Sequence, residues 1–164
     1  MTIYREELRM TSDDGRVTFF DLTDQVRAVV ERSGIVEGLV SVFSPHTTCA
    51  VITQEAAFDL SMTGLETLQQ DFVDSLDRVM PEQSREGVYL HPGPQAIAFA
   101  AEHDEGLREA HNTDAHLRSA LIGRSETIPV KAGVPGLGEF GRVYFIDFDH
   151  RRARSRRVDV TVWG

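Results

Sequence analysis

The sequence predicts a single α+β domain over residues 1–164, with a few helices packed on a mostly antiparallel sheet. Apolar, β-branched segments typical of strands lie toward both ends of the chain, and segments with helical periodicity lie between them. No internal repeat or low-complexity tract interrupts this order. A chain of 164 residues also has the size that one domain with a sizeable core requires.

Alternating or continuously apolar segments predict strands near the start of the chain. Residues 4–10 alternate, the turn formers of 12–16 follow, and 17–22 predicts the second strand of a hairpin. Two more strands are predicted over 38–43 and 50–53, because both segments are rich in apolar and β-branched side chains.

Two helices are predicted from apolar residues at spacings of three and four. The first covers 24–33, with Thr23 as its N-cap and Gly34 as its C-cap. The second covers 65–79 and ends before Pro81. Its predicted buried face consists of Leu65, Leu68, Phe72, Val73, Leu76 and Val79.

The second half of the chain begins with its least regular stretch, residues 82–109. Within that stretch only the alanine-rich part at 96–102 favours a helix. A short helix is predicted over 112–121, ending at Gly123. The remaining apolar segments predict strands over 126–130, 142–148 and 156–163.

The composition limits the partners and the compartment. A formal charge of −9 and a pI near 5.1 disfavour nucleic acid and anionic membranes, because such partners usually need a net basic face. The single cysteine, Cys49, rules out an intrachain disulfide. Neither a secretory signal nor an apolar stretch long enough to cross a bilayer is visible. We therefore expect a soluble, cytoplasmic protein whose partner is a small molecule or another protein.

A histidine and two threonines interrupt the strand pattern at His46-Thr47-Thr48. The apolar segments on both sides place His46 at the rim where one strand ends and the next begins. Such a histidine is either a hydrogen-bonded structural residue or part of a site, and both interpretations stay open at this point. Cys49 is expected on the opposite face of the strand from His46, which favours a small buried hydrophobic role over a nucleophilic one.

The densest polar cluster of the sequence follows His111. If this segment is helical, Asn112 and His116 share a face, whereas His111 and His116 diverge. A metal site would have to combine His46, His91 and His116 from distant segments, since tetrahedral Zn²⁺ needs three or four nitrogen, oxygen or sulfur ligands. The alternative is that these histidines are hydrogen-bonded at sheet edges or on the surface.

Three other features admit both a functional and a structural interpretation. Glu55 and Asp59 can each act as a general base or bind a divalent ion, or they are ordinary helix-start or surface charges. The glycine-rich segment 133–138 can offer backbone N–H groups to a phosphate, or it is a turn between strands. The basic run 151–157 is a solvated turn or a source of oligomer salt bridges, or it binds an anion.

Three pieces occur in a fixed order along the chain. They are His46-Thr47-Thr48 leading to Glu55, the segment 114–119 leading to 123–130, and the turn Gly136-Leu137-Gly138. Together with the ending 154–158 they resemble the YjbQ family, small trimeric α+β proteins whose members are named secondary thiamine-phosphate synthases. The resemblance extends from about Tyr4 to Trp163, and the ordered combination is more specific than any one of its motifs.

The resemblance implies a site that includes His46, Glu55, His91 and His116, with Ser125 in its Gly-x-Ser segment. These residues would line a cleft between the subunits of a homotrimer. The implied reaction joins a hydroxymethylpyrimidine diphosphate to a thiazole phosphate and releases pyrophosphate. Such chemistry calls for Mg²⁺ and for cationic groups that stabilise the departing diphosphate.

The sequence departs from the family pattern at two groups of residues and in the length of one segment. The family usually has Gly-Thr-Trp-Gln where this chain has Gly138-Glu139-Phe140-Gly141. Phe58 replaces an aspartate of the family, with Asp59 displaced by one position, and the stretch between His91 and His116 is longer and richer in alanine. The metal or substrate preference can therefore differ from that of the family.

Three functions follow as hypotheses. In the first, a weak or secondary thiamine-phosphate synthase-like transferase uses His46 and His116 for substrate orientation or proton transfer, and Glu55 as a base or as a ligand of Mg²⁺ or Zn²⁺. Its contacts to the phosphorylated substrate are assigned to Thr47, Thr48, Asn112, Arg118 and Ser125. The second is a non-catalytic trimer that binds a metal or an oxyanion. The third is a hydrolase in which a histidine-bound Zn²⁺ activates water.

Overall fold

The computed structural model describes residues 1–103 and 105–164. The strands within them are β1 (Ile3–Thr11), β2 (Thr18–Asp21), β3 (Glu37–Phe43), β4 (Cys49–Glu55), β5 (Ser125–Lys131), β6 (Val134–Pro135), β7 (Gly141–Asp147) and β8 (Ser155–Trp163). The helices are α1 (Thr23–Ser33), α2 (Thr67–Val79), α3 (Pro94–Glu102), α4 (Leu107–Ala110) and α5 (Thr113–Ile122). No helix among these residues is both long and apolar enough to cross a membrane.

The strands form two antiparallel sheets. The larger sheet has the order β1-β8-β3-β5-β6, and the smaller one has the order β2-β7-β4. The predicted α+β class with antiparallel pairing is confirmed, but the strands divide between two sheets. The reason is that, within residues 1–103 and 105–164, β7 pairs with β2 and β4 and with no strand of the larger sheet, so the apolar segment 142–148 lies in a separate layer.

The smaller sheet is the middle layer of the domain. On one face, Val143 and Phe145 of β7 pack in a core cluster with Val158 and Val160 of β8. Because side chains alternate along a strand, every second residue of β8 points into this cluster. The same alternation along β7 sends its other residues to the opposite face. A strand covered on both faces reads as a continuous apolar run, which explains the lack of alternation in β7.

The second core cluster lies on the far face of the smaller sheet. There Tyr144 and Ile146 of β7 pack with Ile52 of β4, with Leu76 of α2 and with Ala115 of α5. Helix α5 therefore lies directly against β4. This packing brings the segment after Asn112 next to the loop that contains His46, which local sequence patterns do not specify.

The helix termini differ in part from the predicted ones. Gly34 is the C-cap of α1 and has a left-handed backbone with φ of 67°, as predicted. Thr23 is not the N-cap, because it begins the helix and its hydroxyl accepts the N–H of Val143 at 3.0 Å. Glu66 caps α2 in a capping box with Gln69.

The buried face of α2 is narrower than the sequence predicts. Val73 and Leu76 are buried, and Leu65 and Phe72 pack against the cluster in part. Leu68 and Val79 are 38% and 71% exposed, because both lie at one edge of the helical stripe that buries Gln69, Val73 and Leu76. The predicted alanine-rich helix is present as α3. The short helix α4 also lies within the stretch predicted to be irregular, and the sequence did not predict it.

Replacing Phe145 by alanine is expected to lower the free energy of unfolding by about 3–5 kcal/mol, because Phe145 is fully buried and its ring lies 5.9 Å from that of Phe20. Phe140→Ala is the matched control, since Phe140 is 52% exposed and its loss should change stability by roughly 0.5 kcal/mol or less. Urea unfolding followed by circular dichroism measures both values. Similar losses in the two variants would contradict the assigned core.

Candidate functional site

A cleft of about 330 Å³ opens where the loop between β3 and β4 meets α5 and the segment before β8. It brings together five of the residues that the sequence assigned to a site. They are His46, Thr47, Thr48, Asn112 and His116. The rest of the lining consists of Pro45 and four charged residues, namely Glu105, Asp149, Arg154 and Arg156.

The ring of His46 is held in one tautomer by the backbone. Its Nε2 accepts the backbone N–H of Arg157 at 3.0 Å, so this nitrogen carries a lone pair and Nδ1 carries the hydrogen. Burial lowers the pKa of His46 from its ordinary value of 6.5, and the nearby Arg156 guanidinium lowers it further. His46 is therefore a neutral hydrogen-bond donor in the cleft near pH 7.

The ring of His116 is held in the same tautomer by a different contact. A carbonyl oxygen can only accept, so His116 Nδ1–H donates to the carbonyl oxygen of Thr47 at 3.2 Å. Nε2 then keeps its lone pair. Burial lowers the pKa of His116, and the neighbouring His91 lowers it further. His116 thus has a neutral acceptor nitrogen and lines the same cleft as His46.

His91 lies beside His116, with ring centroids 5.6 Å apart. The hydroxyl of Thr113 donates to the His91 carbonyl at 2.7 Å and pairs with His91 Nδ1 at 2.8 Å. The buried Gln83 side chain donates to the same carbonyl at 3.0 Å and accepts the Thr113 N–H at 3.0 Å. Gln83 therefore positions His91 against the start of α5. Its contacts link distant segments, so no sequence pattern identifies it.

A buried ion pair forms the floor of the cleft beneath His46. Arg156 donates from Nε and Nη2 to the two carboxylate oxygens of Asp147 at 2.6 and 2.9 Å, and its Nη2 also donates to Thr48 Oγ1 at 3.1 Å. Such a two-point contact fixes the guanidinium plane. Nη1 of Arg156 makes no hydrogen bond to a described residue, so it is available to a ligand.

A second arginine forms the wall of the cleft. Arg154 lies 3.2 Å from the buried carboxylate of Asp149 and donates from Nη1 to Glu105 at 3.2 Å. Glu105 also pairs with Arg152. Asn112 donates to Asp149 Oδ2 at 3.1 Å, which ties α5 to the same network. The Glu105 carboxylate is thus held by two guanidinium groups at the mouth of the cleft.

A sequence signal for Arg156 exists in retrospect. Arg156 lies on the same face of β8 as Val158, Val160 and Val162, which all point into the core. An arginine on the inward parity of a strand is buried, and a buried arginine needs a carboxylate partner. The basic run 151–157 was interpreted as a solvated turn, oligomer salt bridges or an anion site, and the structure brings two of its members into the cleft.

Three sequence-assigned residues lie away from this cleft. Glu55 is at the other end of β4 and lines a separate cavity of about 370 Å³ with Glu126. Arg118 is buried and pairs with Asp77, so it does not reach the cleft. Ser125 begins β5 and is exposed opposite Phe43. Within one chain, the structure therefore separates Glu55 from His46 and His116.

The residues present do not fit the suggested three-histidine metal site. The amide of Arg157 occupies Nε2 of His46, so only His91 and His116 are paired. Arginines neutralise both carboxylates of the cleft, Asp149 and Glu105. In the described ranges 1–103 and 105–164, no group of three or more His, Cys, Asp or Glu side chains can hold a metal ion together. Binding of Mg²⁺ or Zn²⁺ stays a prediction from the resemblance.

The comparison with protein families gives one match that covers nearly the whole chain. The model of the family described as UPF0047 protein YjbQ-like matches residues 6–164. A UPF0047 protein of Archaeoglobus fulgidus is 33% identical over 145 residues, which is 88% of this chain and 90% of that protein. A UPF0047 protein of Methanothermobacter thermautotrophicus is 32% identical over 164 residues, which is 100% of this chain and 94% of that protein.

Solved structures share the fold. A YjbQ/UPF0047 family protein from Clostridium acetobutylicum has a TM-score of 0.72 at 28% identity, covering 96% of this chain and 99% of that one. A hypothetical protein from Aeropyrum pernix K1 has a TM-score of 0.68 at 28% identity, covering 97% of this chain and 98% of that one. None of these four names states an activity.

The free energy of unfolding is expected to fall as the pH is lowered below 6.5. The pKa values of His46 and His116 are lowered in the folded state, so the unfolded chain binds more protons in this range. The contribution of the two neutral histidines to the free energy of unfolding is fully present above the unfolded-state pKa near 6.5. It is lost as the pH falls from there through the lower folded-state pKa values.

This expectation is checked by urea unfolding between pH 8 and pH 5 for the wild type, His46→Gln and His116→Gln. In each variant the free energy of unfolding should decrease less between pH 6.5 and pH 5 than it does in the wild type, because glutamine does not titrate. The assignment fails if both variants retain the full pH dependence of the wild type.

Proposed function

The chain belongs to the YjbQ-like UPF0047 family, and we propose that its histidine cleft binds the phosphate of a small phosphorylated substrate for a group-transfer reaction. The resemblance implies the specific reaction, in which a hydroxymethylpyrimidine diphosphate and a thiazole phosphate are joined. The thiazole ring nitrogen forms a C–N bond to the methylene carbon of the pyrimidine, diphosphate leaves with the electron pair of the broken C–O bond, and N–H donors around the diphosphate stabilise its charge. The proposal is therefore a thiamine-phosphate synthase-like transferase.

The observation that carries the proposal is the set of hydrogen-bond donors in one cleft. Arg156 offers Nη1, His46 offers Nδ1–H, and Arg154 lines the same wall. Two guanidinium groups next to a neutral imidazole donor are typical of phosphate recognition. The Asp147 pair holds Arg156 in place before a ligand arrives, which reduces the ordering cost of binding.

The carboxylates of the cleft determine how an anion can bind. Asp147 and Asp149 are buried and stay paired with arginines, so they are permanent parts of the site. Glu105 is less buried and occupies Arg152 and Arg154 as a substrate phosphate would. In the proposal, phosphate replaces the Glu105 carboxylate on these arginines, and this competition limits the affinity of the resting protein.

His116 has the role of a proton acceptor or an orienting group in this proposal. Its Nε2 lone pair is fixed by the Thr47 contact and accepts a hydrogen bond, or the proton itself, from an O–H or N–H group of the substrate. Glu55 contributes only if a neighbouring copy brings the far end of its β4 to the cleft. The homotrimer that the resemblance implies stays a prediction, and so does the cytoplasmic location.

Removing the competing carboxylate is expected to strengthen phosphate binding. Glu105→Gln should lower the dissociation constant for inorganic phosphate severalfold, whereas Arg154→Gln should raise it by roughly tenfold. Isothermal titration calorimetry at fixed ionic strength measures both changes. Glu102→Gln is the matched control, because it adds the same charge change on an exposed residue outside the cleft. Shifts in the same direction for Glu105→Gln and Arg154→Gln would contradict the arrangement.

The reaction is tested by measuring thiamine phosphate formed from the two phosphorylated precursors in the presence of Mg²⁺. His46→Ala and His116→Ala should each lower the rate by about a hundredfold or more, because each removes a group placed at the reacting substrate. His111→Ala is the control, since His111 does not line the cleft. Thermal unfolding shows whether each variant folds.

The outcomes of this assay separate the proposed functions. Product from the wild type that depends on His46 and His116 supports the transferase. Phosphate binding that depends on Arg154 without any product refutes the transferase and supports the non-catalytic oxyanion-binding alternative. Equal rates in the wild type and both histidine variants refute the catalytic assignment of this cleft.

A further inference from the structure

A second cavity of about 380 Å³ adjoins the cleft on the side of α3 and α4. We name it the α3 chamber, and we define it by Pro92, Ala96, Phe99, Ala100 and Ala110. Glu105, Asn112 and His116 line both the chamber and the cleft, so the two spaces are continuous. A ligand whose phosphate lies in the cleft therefore has its next group directed to the chamber or to solvent.

Five of the eleven residues that line the chamber are apolar, and the other six are three histidines, two glutamates and Asn112. Three alanines, Ala96, Ala100 and Ala110, occupy positions where a larger residue would fill the space. The ring of Phe99 is 63% exposed, and it lies against the His103 ring with centroids 4.1 Å apart and planes at 30°. An exposed aromatic face beside small apolar residues favours contact with an uncharged group, above all with a flat one.

The charges of the chamber disfavour an anionic occupant. Among the described residues that line it, none is a lysine or an arginine, and both Glu105 and Glu109 contribute carboxylates. A second phosphate in this space would meet the Glu109 carboxylate, and the arginines beside Glu105 are already paired with it. The phosphate of a ligand is therefore favoured in the cleft, and its uncharged part is favoured in the chamber.

We infer that the α3 chamber binds an uncharged, apolar group attached to the phosphate, and that Ala96 and Phe99 determine which groups are accepted. This inference rests on the proposed phosphate site and adds the class of substrate, a phosphate monoester or diphosphate with an apolar body. Ala96 limits the size of that body, and Phe99 supplies the face on which it packs.

Phenyl phosphate and methyl phosphate test the inference, because they share the charged group and differ in the apolar one. Isothermal titration calorimetry of the wild type should give about tenfold tighter binding of phenyl phosphate. Ala96→Leu should abolish this preference by filling the chamber and leave methyl phosphate unchanged. Ala98→Leu is the matched control, since Ala98 lies on the same helix but is exposed and outside the lining. Phe99→Ala alters an exposed side chain and should also reduce the preference.

The possible results distinguish this inference from the proposed function. Equal affinities of the wild type for the two esters, with binding that Arg154→Gln weakens, overturn the chamber and leave the phosphate site intact. Equal loss of the preference in Ala96→Leu and Ala98→Leu overturns the chamber as well. If neither ester binds, or if Arg154→Gln binds methyl phosphate as well as the wild type does, the proposed phosphate site fails and the inference fails with it.

Discussion

The buried ion pair between Asp147 and Arg156 is the contact on which the arrangement of the site depends. Asp147 ends β7 in the smaller sheet, and Arg156 lies at the start of β8 in the larger one, so the pair joins the two sheets. The Asp147 carboxylate also accepts the N–H of Asp149 at 3.1 Å, and Arg156 holds the hydroxyl of Thr48. Removing either charge would leave its partner buried and uncompensated, which typically costs several kcal/mol.

Burial is the main reason why the cleft contains neutral histidines. Desolvation and a nearby guanidinium both disfavour the charged form of His46, and desolvation with a neighbouring imidazole does the same for His116. Backbone contacts then select the tautomers, so that one ring offers a donor and the other an acceptor. The cleft thereby combines arginines that are paired with carboxylates and two neutral histidines.

Local patterns predicted much of the fold, because burial imposes a period on the sequence. The alternation in β8, the three-and-four spacing in α1 and the left-handed glycine after α1 were readable residue by residue. The predictions failed where a side chain serves a distant partner. Thr23 was assigned to cap its own helix, but its hydroxyl accepts a backbone N–H from β7. Val79 fits the helical period of α2 but lies at the edge of the buried stripe of the helix and is exposed.

The sequence by itself determined which residues are polar interruptions of an apolar pattern, and the resemblance to the family added the prediction that His46 and His116 belong to a site, with Asn112 on the same helix face as His116. Only the tertiary structure decided which of these residues meet and what charges surround them. It placed Glu55 at the opposite end of β4 and brought Arg154 and Arg156 into the cleft. The physical reason is that periodicity reports whether a residue is buried, whereas contacts between distant segments depend on how two sheets and α5 pack together.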